Sequence, residues 1–238
     1  MHFNFIGHYM QQTKLLSYLL CCLTLTLCLA LTTNSLVAKE WLVDDQTAYK
    51  KALKKVKAGD KIILANGTYN NFEILFEGKG TQENPITLEA ETKGKVFLTG
   101  QSNLRLAGKH LIVSGLVFKD GFTPSSAVIA FRSNKDNLAF NSRVTEVVID
   151  NFSNPDKRES DYWVAIYGQY NRLDHNYLTG KRNKGVTVAV RLNTKVSQEN
   201  HHQIDHNYFG PRPILGSNGG ETLRIGTSHY SLSNSFTV

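Results

Sequence analysis

Hydrophobic and polar residues after residue 58 alternate in short runs that are separated by Gly, Asn or Asp. Short runs of this kind, rich in Val, Ile, Leu and Phe, predict β-strands. The clearest examples are residues 61–64, 85–90, 96–100, 104–106 and 111–118. No long helical period follows residue 58, so the pattern predicts an all-β body.

One short helix is predicted ahead of these strands, over about residues 46–56. Asp44 or Asp45 is suited to cap its N-terminus, and Gly59 is suited to end it. Its apolar positions recur at helical spacing, at Ala48, Tyr49, Ala52, Leu53 and Val56. Such a helix would close one end of a stack of coils.

A weak internal repeat distinguishes between β architectures. The run Leu-Asp-His-Asn-Tyr-Leu at 173–178 recurs 31 residues later as Ile-Asp-His-Asn-Tyr-Phe at 204–209, with a looser copy at 232–236 and a degenerate one at 149–152. Repeats of this length with Asn-bearing turns are typical of a parallel β-helix, in which each coil stacks on its neighbours. A sandwich or propeller would more often show hairpin turns or blade signatures. We therefore predict a parallel β-helix with a short N-terminal capping helix. His175 and His206 occupy equivalent positions of the repeat, which favours a stacking or hydrogen-bonding structural role over acid–base catalysis.

The first 38 residues have a different composition from the rest. Lys14 supplies a positive start, residues 15–31 are nearly all apolar, and small or polar residues lead to Ala38. This pattern predicts a secretory signal peptide over 1–38, which leaves 39–238 as the β-helix domain. A membrane anchor is the alternative, because the apolar stretch is nearly long enough to span a bilayer. We expect a secreted or periplasmic protein with no membrane association after cleavage.

Cysteine usage and charge narrow the chemistry. Cys21, Cys22 and Cys28 all lie in the predicted signal, so the mature chain has no thiol for disulfides, catalysis or thiolate metal sites. The formal net charge of +7 suits an anionic partner. No helix-turn-helix, zinc-finger or RNP-like pattern accompanies it, and secretion also argues against nucleic acid. An acidic polysaccharide is the predicted partner.

The most specific motif is Gly-Ser-Asn-Gly-Gly-Glu-Thr-Leu-Arg-Ile-Gly-Thr-Ser at 216–228. Together with Asp-His-Asn-Tyr-Phe-Gly-Pro-Arg at 205–212, it resembles polysaccharide lyase family 6, which includes alginate lyases and chondroitinase B. The alginate-degrading branch is the better match. The resemblance covers most of 39–238. It implies a right-handed, single-stranded parallel β-helix and an enzyme that cuts alginate by β-elimination.

The reaction defines which residue types the resemblance implies. The C5 proton of a uronate becomes acidic only when the adjacent carboxylate is neutralised. In the family, Ca²⁺ neutralises it through one Asn and two Glu ligands, a Lys acts as the base and an Arg as the acid. By position, the Asn ligand falls on Asn218, six residues before Arg224. No Glu-x-Glu followed by Lys occurs between Gly226 and Val238. We therefore expect the catalytic residues beyond Val238 and no lyase activity from residues 1–238 alone.

Two arginines are candidate substrate-binding residues. Arg191 and Arg224 lie in strand-like runs, and a guanidinium binds a sugar carboxylate through two hydrogen bonds. Arg191 fits a solvated strand position equally well, whereas Arg224 is expected to shape or line the site. Asn218, among glycines, also suits a turn. A separate group of basic residues is predicted to lie in a solvated loop and not to clamp the substrate. It consists of Lys181, Arg182 and Lys184.

Other functions stay open at this stage. The chain also fits a secreted protein that binds an acidic glycan without cleaving it, or a structural β-helix. A structural β-helix would explain the repeat but not the Asn-Gly-Gly-Glu segment. Within the family, a chondroitin or dermatan sulfate lyase is the alternative to an alginate lyase.

Overall fold

The computed structural model describes residues 38–192, 199–213 and 220–226, all of which lie in one compact unit, Ala38–Val238. These residues form three β-sheets, and successive strands along the chain visit the sheets in turn. All the strand pairs between named strands of the described residues are parallel. The predicted parallel β-helix is therefore confirmed.

Each sheet collects one strand from each coil. In spatial order, the first sheet contains β1 (Glu40–Val43), β2 (Lys61–Leu64), β5 (Ile86–Ala90), β8 (Leu111–Ser114), β12 (Arg143–Thr145), β15 (Arg172–Asp174) and β18 (Gln203–Asp205). The second contains β3 (Gly67–Asn70), β6 (Val96–Gln101), β9 (Leu116–Phe122), β13 (Val148–Asp150), β16 (Tyr177–Thr179) and β19 (Tyr208–Phe209). The third contains β4 (Glu73–Lys79), β7 (Asn103–Lys109), β10 (Ala127–Ala130), β14 (Tyr162–Ile166), β17 (Val188–Val190) and β20 (Leu223–Ile225), with β11 (Ala139–Phe140) beside the end of β7.

The helix α1 (Gln46–Leu53) packs against the first coil. Asp45 caps it, since its carboxylate accepts a 2.7 Å hydrogen bond from the backbone N–H of Ala48. Tyr49 is buried, and its hydroxyl group donates a 3.0 Å hydrogen bond to the Leu75 carbonyl on β4. The helix is shorter than predicted, because the chain leaves it after Leu53 in a tight turn, and Val56 packs on the core from beyond its end.

A strand precedes this helix, so the predicted order of one helix followed by strands is wrong. β1 is extended because it pairs in register with β2, Glu40 beside Lys61 and Val43 beside Leu64. Four residues are too few to show a strand period in the sequence alone. Within the part of the chain that the structure describes, no helix has the length and hydrophobicity that a membrane span requires.

The 31-residue repeat corresponds to two adjacent coils. Leu173 pairs with Ile204, and Leu178 pairs with Phe209. The degenerate copy was misaligned, because Ile149 pairs with Leu178 and not with Leu173. The copy proposed at 232–236 lies outside the described residues. The repeat therefore results from the stacking of coils. Its earlier member, 149–152, begins on the second sheet, whereas the copies at 173–178 and 204–209 begin on the first.

The polar members of the repeat stack as predicted. The imidazole rings of His175 and His206 lie parallel, with centroids 4.9 Å apart and an interplanar angle of 3°. Asn176 and Asn207 form a ladder, in which the Asn176 side-chain amide donates to the Asn207 side-chain oxygen at 2.9 Å. The stacking role predicted for both histidines is therefore confirmed.

Candidate functional site

The outer face of the third sheet carries the residues that the sequence singled out. One row of this face crosses the strands in register and points away from the core, and it consists of Leu75, Arg105, Ala130, Ala165, Ala189 and Arg224. The three central positions are alanine. Their small side chains leave room for larger tyrosine side chains to pack on the same face, as Tyr162 and Tyr167 do.

Tyr162, at the start of β14, joins the two predicted arginines. Arg191 donates from Nη1 to the Tyr162 hydroxyl oxygen at 2.7 Å, and Arg224 donates from Nη2 to the same oxygen at 3.2 Å. Their guanidinium carbons lie 5.2 Å and 5.9 Å from the centroid of the tyrosine ring. Sequence reasoning missed Tyr162, because a tyrosine in a strand-like run has no signal that distinguishes it from a packing residue.

Tyr162, Arg191 and Arg224 form a cluster, and no carboxylate in the described part of the chain neutralises its positive charge. Neither Arg191 nor Arg224 forms an ion pair with a carboxylate there, and the Nε atom of each is buried without a described hydrogen-bond partner. By contrast, Arg143 and Arg172 on the first sheet are each held by an aspartate through two hydrogen bonds. Guanidinium groups that lack a carboxylate are suited to bind one from a ligand.

Arg132 extends the same cationic face towards the N-terminal coils. Its guanidinium carbon lies 3.9 Å from the centroid of the Tyr167 ring. Tyr167 occupies the next coil and is almost fully buried, and burial is the main reason why the pKa of its hydroxyl is raised. The face therefore carries a second contact between an arginine and a tyrosine.

Lys181 was predicted to lie in a solvated loop, and this prediction is wrong. Its side chain is completely buried, whereas Arg182 and Lys184 beside it are exposed as predicted. The ammonium group donates to the Asp161 carboxylate and, at 2.8 Å, to the side-chain oxygen of Asn183. Burial lowers the pKa of Lys181 to about 8 and also raises the pKa of Asp161. This buried pair fixes the chain immediately before Tyr162.

Arg212, at the end of the motif at 205–212, links two segments that precede the arginine-bearing strands. It donates to Thr187 Oγ1 and to the Glu221 carbonyl, both at 3.1 Å, and to the Gly185 carbonyl at 2.9 Å. Thr187 leads into β17, and Glu221 lies just before β20. Arg212 therefore helps to set the positions of Arg191 and Arg224 relative to each other.

The predicted calcium ligand Asn218 lies outside the described residues. Within 38–192, 199–213 and 220–226, no group of three or more His, Cys, Asp or Glu side chains is arranged to hold a metal ion. Glu221 has one buried carboxylate oxygen, Oε2, without a described partner, and one such oxygen is far fewer than the six to eight that Ca²⁺ takes. The described residues do not form a calcium site by themselves, so calcium stays a prediction that rests on Asn218.

Comparisons with known proteins agree with this architecture. The sequence profile of chondroitinase B matches residues 43–238. No curated protein is a significant match to the chain. The structure of the PL6 family alginate lyase AlyGC shares 72% sequence identity over 82% of this chain, with a TM-score of 0.81.

Two further structures are similar. A mannuronic acid specific polysaccharide family 6 lyase from human gut microbiota is 36% identical over 83% of this chain, with a TM-score of 0.78. The PL6 family polysaccharide lyase Pedsa3628 from Pseudopedobacter saltans is 29% identical over 82%, with a TM-score of 0.71. The chain spans 27%, 46% and 44% of the lengths of these three structures. The profile match and the identity to AlyGC show that the chain belongs to polysaccharide lyase family 6, whose fold is the right-handed parallel β-helix.

Proposed function

We propose that this chain carries part of the substrate-binding surface of an alginate lyase that cleaves its polysaccharide by β-elimination. Structures that are similar to it over most of its length include an alginate lyase and a mannuronic acid specific lyase. The observation that carries the proposal is the cluster of Arg191 and Arg224 around the Tyr162 hydroxyl. Each uronate of the polysaccharide carries a carboxylate, and two arginines without a described carboxylate partner are suited to bind such groups.

In this proposal the cluster binds and orients a uronate. The free N–H groups of Arg191 and Arg224 donate to the sugar carboxylate, and Tyr162 holds both guanidinium groups because its oxygen accepts a hydrogen bond from each. Neutralising the carboxylate makes the neighbouring C5 proton more acidic, since the developing charge is stabilised. In the family, the Lys that acts as the base and the Arg that acts as the acid lie on coils that follow the Arg-Ile-Gly turn.

Three further properties belong to the same proposal. Calcium would be held with the help of Asn218, and it would supply additional neutralisation of the uronate carboxylate. Residues 1–38 would act as a secretory signal, so that the protein is secreted or periplasmic. An extracellular or periplasmic location suits a polymer that is too large to enter the cytoplasm.

Binding of alginate oligosaccharides tests the proposal directly. We expect Arg191→Gln and Arg224→Gln each to weaken binding about tenfold in titration calorimetry at low salt, because each removes a charge-assisted contact of roughly 1.5 kcal/mol. Arg182→Gln is the matched control, since its side chain is exposed outside this cluster. Moderate salt should weaken binding by the wild-type chain.

Two results would contradict the proposal. One is unchanged affinity in both arginine variants when circular dichroism shows that they are folded. The other is equal or tighter binding of chondroitin sulfate oligosaccharides, which would favour the chondroitin-degrading alternative.

A further inference from the structure

A cavity of about 450 Å³ lies at the other end of the outer face of the third sheet, between α1 and strands β4 and β7. Leu53 and Leu75 form its apolar part, and Lys50, Arg105 and Gln46 provide cationic and amide groups. This combination of an apolar surface and a few converging polar groups is typical of a ligand site.

The charges in this cavity are only weakly compensated. The Arg105 guanidinium lies 3.7 Å from a Glu73 carboxylate oxygen and 3.5 Å from the Ser133 carbonyl, and its Nε is buried without a partner among the described residues. Lys50 is exposed on α1 and forms no ion pair within the described part of the chain. Two cations against one carboxylate leave the cavity with a net attraction for an anionic group.

The register of the third sheet aligns the cavity with the proposed binding cluster. Arg105 on β7 and Arg224 on β20 stand in the same outward row, four strand spacings apart, which is about 19 Å. Arg132 lies between them, after β10. One strand spacing is close to the length of one sugar in a linked chain, so a polyuronate that crosses the strands passes about one sugar per coil.

We propose that the cavity beside α1 is a distal binding site for another uronate of the same polysaccharide chain, an inference that rests on the proposed function. The carboxylate of that sugar meets Lys50 and Arg105, and its ring lies over Leu53 and Leu75. Arg132 contacts the sugars between the two ends. The consequence is an affinity that depends on chain length, because only a chain long enough to reach both ends gains the distal contacts.

Oligosaccharides of two lengths separate this site from the main cluster. The full chain is titrated with alginate trisaccharide and with an alginate octasaccharide. We expect Lys50→Gln and Arg105→Gln each to weaken octasaccharide binding about two- to fivefold, as expected for exposed charged contacts, and to leave trisaccharide binding unchanged. Lys51→Gln is the matched control, because Lys51 has the same charge on the same helix and does not line the cavity.

The outcomes distinguish the two proposals. Unchanged octasaccharide affinity in the Lys50→Gln and Arg105→Gln variants would overturn the distal site, and so would an equal loss for both ligand lengths. If Arg224→Gln still weakens the trisaccharide in that case, the main binding cluster stands. Lys50 is exposed on the helix surface, so its variant keeps the test decisive even where Arg105→Gln disturbs folding.

Discussion

The arginines on the first sheet and those that contact Tyr162 and Tyr167 on the third sheet have different kinds of partner. Arg143 and Arg172 on the first sheet are neutralised by Asp174 and Asp205, and the side-chain hydrogen bond from Arg172 is the main reason why the pKa of Asp205 is lowered to well below its usual range. Around Arg132, Arg191 and Arg224 on the third sheet, hydroxyl and aromatic groups of tyrosine take the place of the aspartates. The first arrangement satisfies the guanidinium internally, whereas the second leaves it able to bind a ligand.

The Tyr162 hydroxyl provides a prediction at this scale. Tyr162→Phe removes the oxygen that holds both Arg191 and Arg224 but keeps the ring. We expect alginate oligosaccharide affinity to fall about thirtyfold, because two hydrogen bonds to charged donors are lost and each costs on the order of 1 kcal/mol. Calorimetry measures the affinity. Tyr177→Phe, an exposed tyrosine stacked on Tyr208, is the control, and equal affinities of the two variants would contradict a role for the Tyr162 hydroxyl.

The corners between strands explain which residues the repeat contains. Glu146, His175 and His206 occupy equivalent corners and have φ angles of 55°, 56° and 54°, in the left-handed region that few side chains favour. The next position carries the asparagine ladder, in which Asn176 accepts from the Val147 N–H at 2.9 Å and donates to Val144 and Asn207. The ladder satisfies backbone groups that the sharp corner removes from the sheets.

Removing one rung of this ladder should destabilise the stack. Asn176 is buried, so Asn176→Ala leaves several buried polar groups without partners. We expect a loss of about 2–4 kcal/mol in the free energy of unfolding, measured by urea denaturation. Asn70→Ala is the control, since Asn70 is exposed and its side chain makes one long contact of 3.4 Å. A loss below that of the control would show that the ladder is not a stabilising element.

At the scale of the whole molecule, the partly buried His202 couples folding to pH. His202 accepts a hydrogen bond at Nδ1 from the Asn171 N–H at 3.1 Å, so this nitrogen is unprotonated in the fold. Burial lowers the pKa of His202 from 6.5 to about 4. Between these values the unfolded chain binds a proton that the folded chain does not. The stability that His202 contributes is therefore present above pH 6.5 and is lost as the pH falls towards 4.

Urea unfolding between pH 7 and 4.5 tests this coupling. We expect the wild-type chain to lose about 2–3 kcal/mol more than His202→Gln over this range, because the variant has no group to protonate there. His201→Gln is the control, since His201 is exposed and lies next in sequence. Parallel pH profiles of wild type and His202→Gln would contradict the assignment.

The sequence by itself determined the strands, the capping helix, the stacked repeat and the family. Strand alternation and Asn-bearing turns are local features of the sequence. Because each coil contacts only its neighbours, the stacking of coils is visible in the sequence as a repeat, such as 173–178 and 204–209. The prediction was less accurate for β1 and for the copy at 149–152, because short strands carry little pattern. Arg191 and Arg224 were found from their strand runs and motif.

Only the tertiary structure decided what surrounds those arginines. Tyr162 is 29 residues from Arg191 and 62 from Arg224 in the sequence, and the three meet because successive coils place them on one outward face. Lys181 was misread for the same reason, since its partner Asp161 lies 20 residues away on the preceding coil. The cavity beside α1 likewise depends on how the helix packs on the strands. Which side chains share a face is fixed by the register between coils, and that register is a property of the stack and not of any one segment.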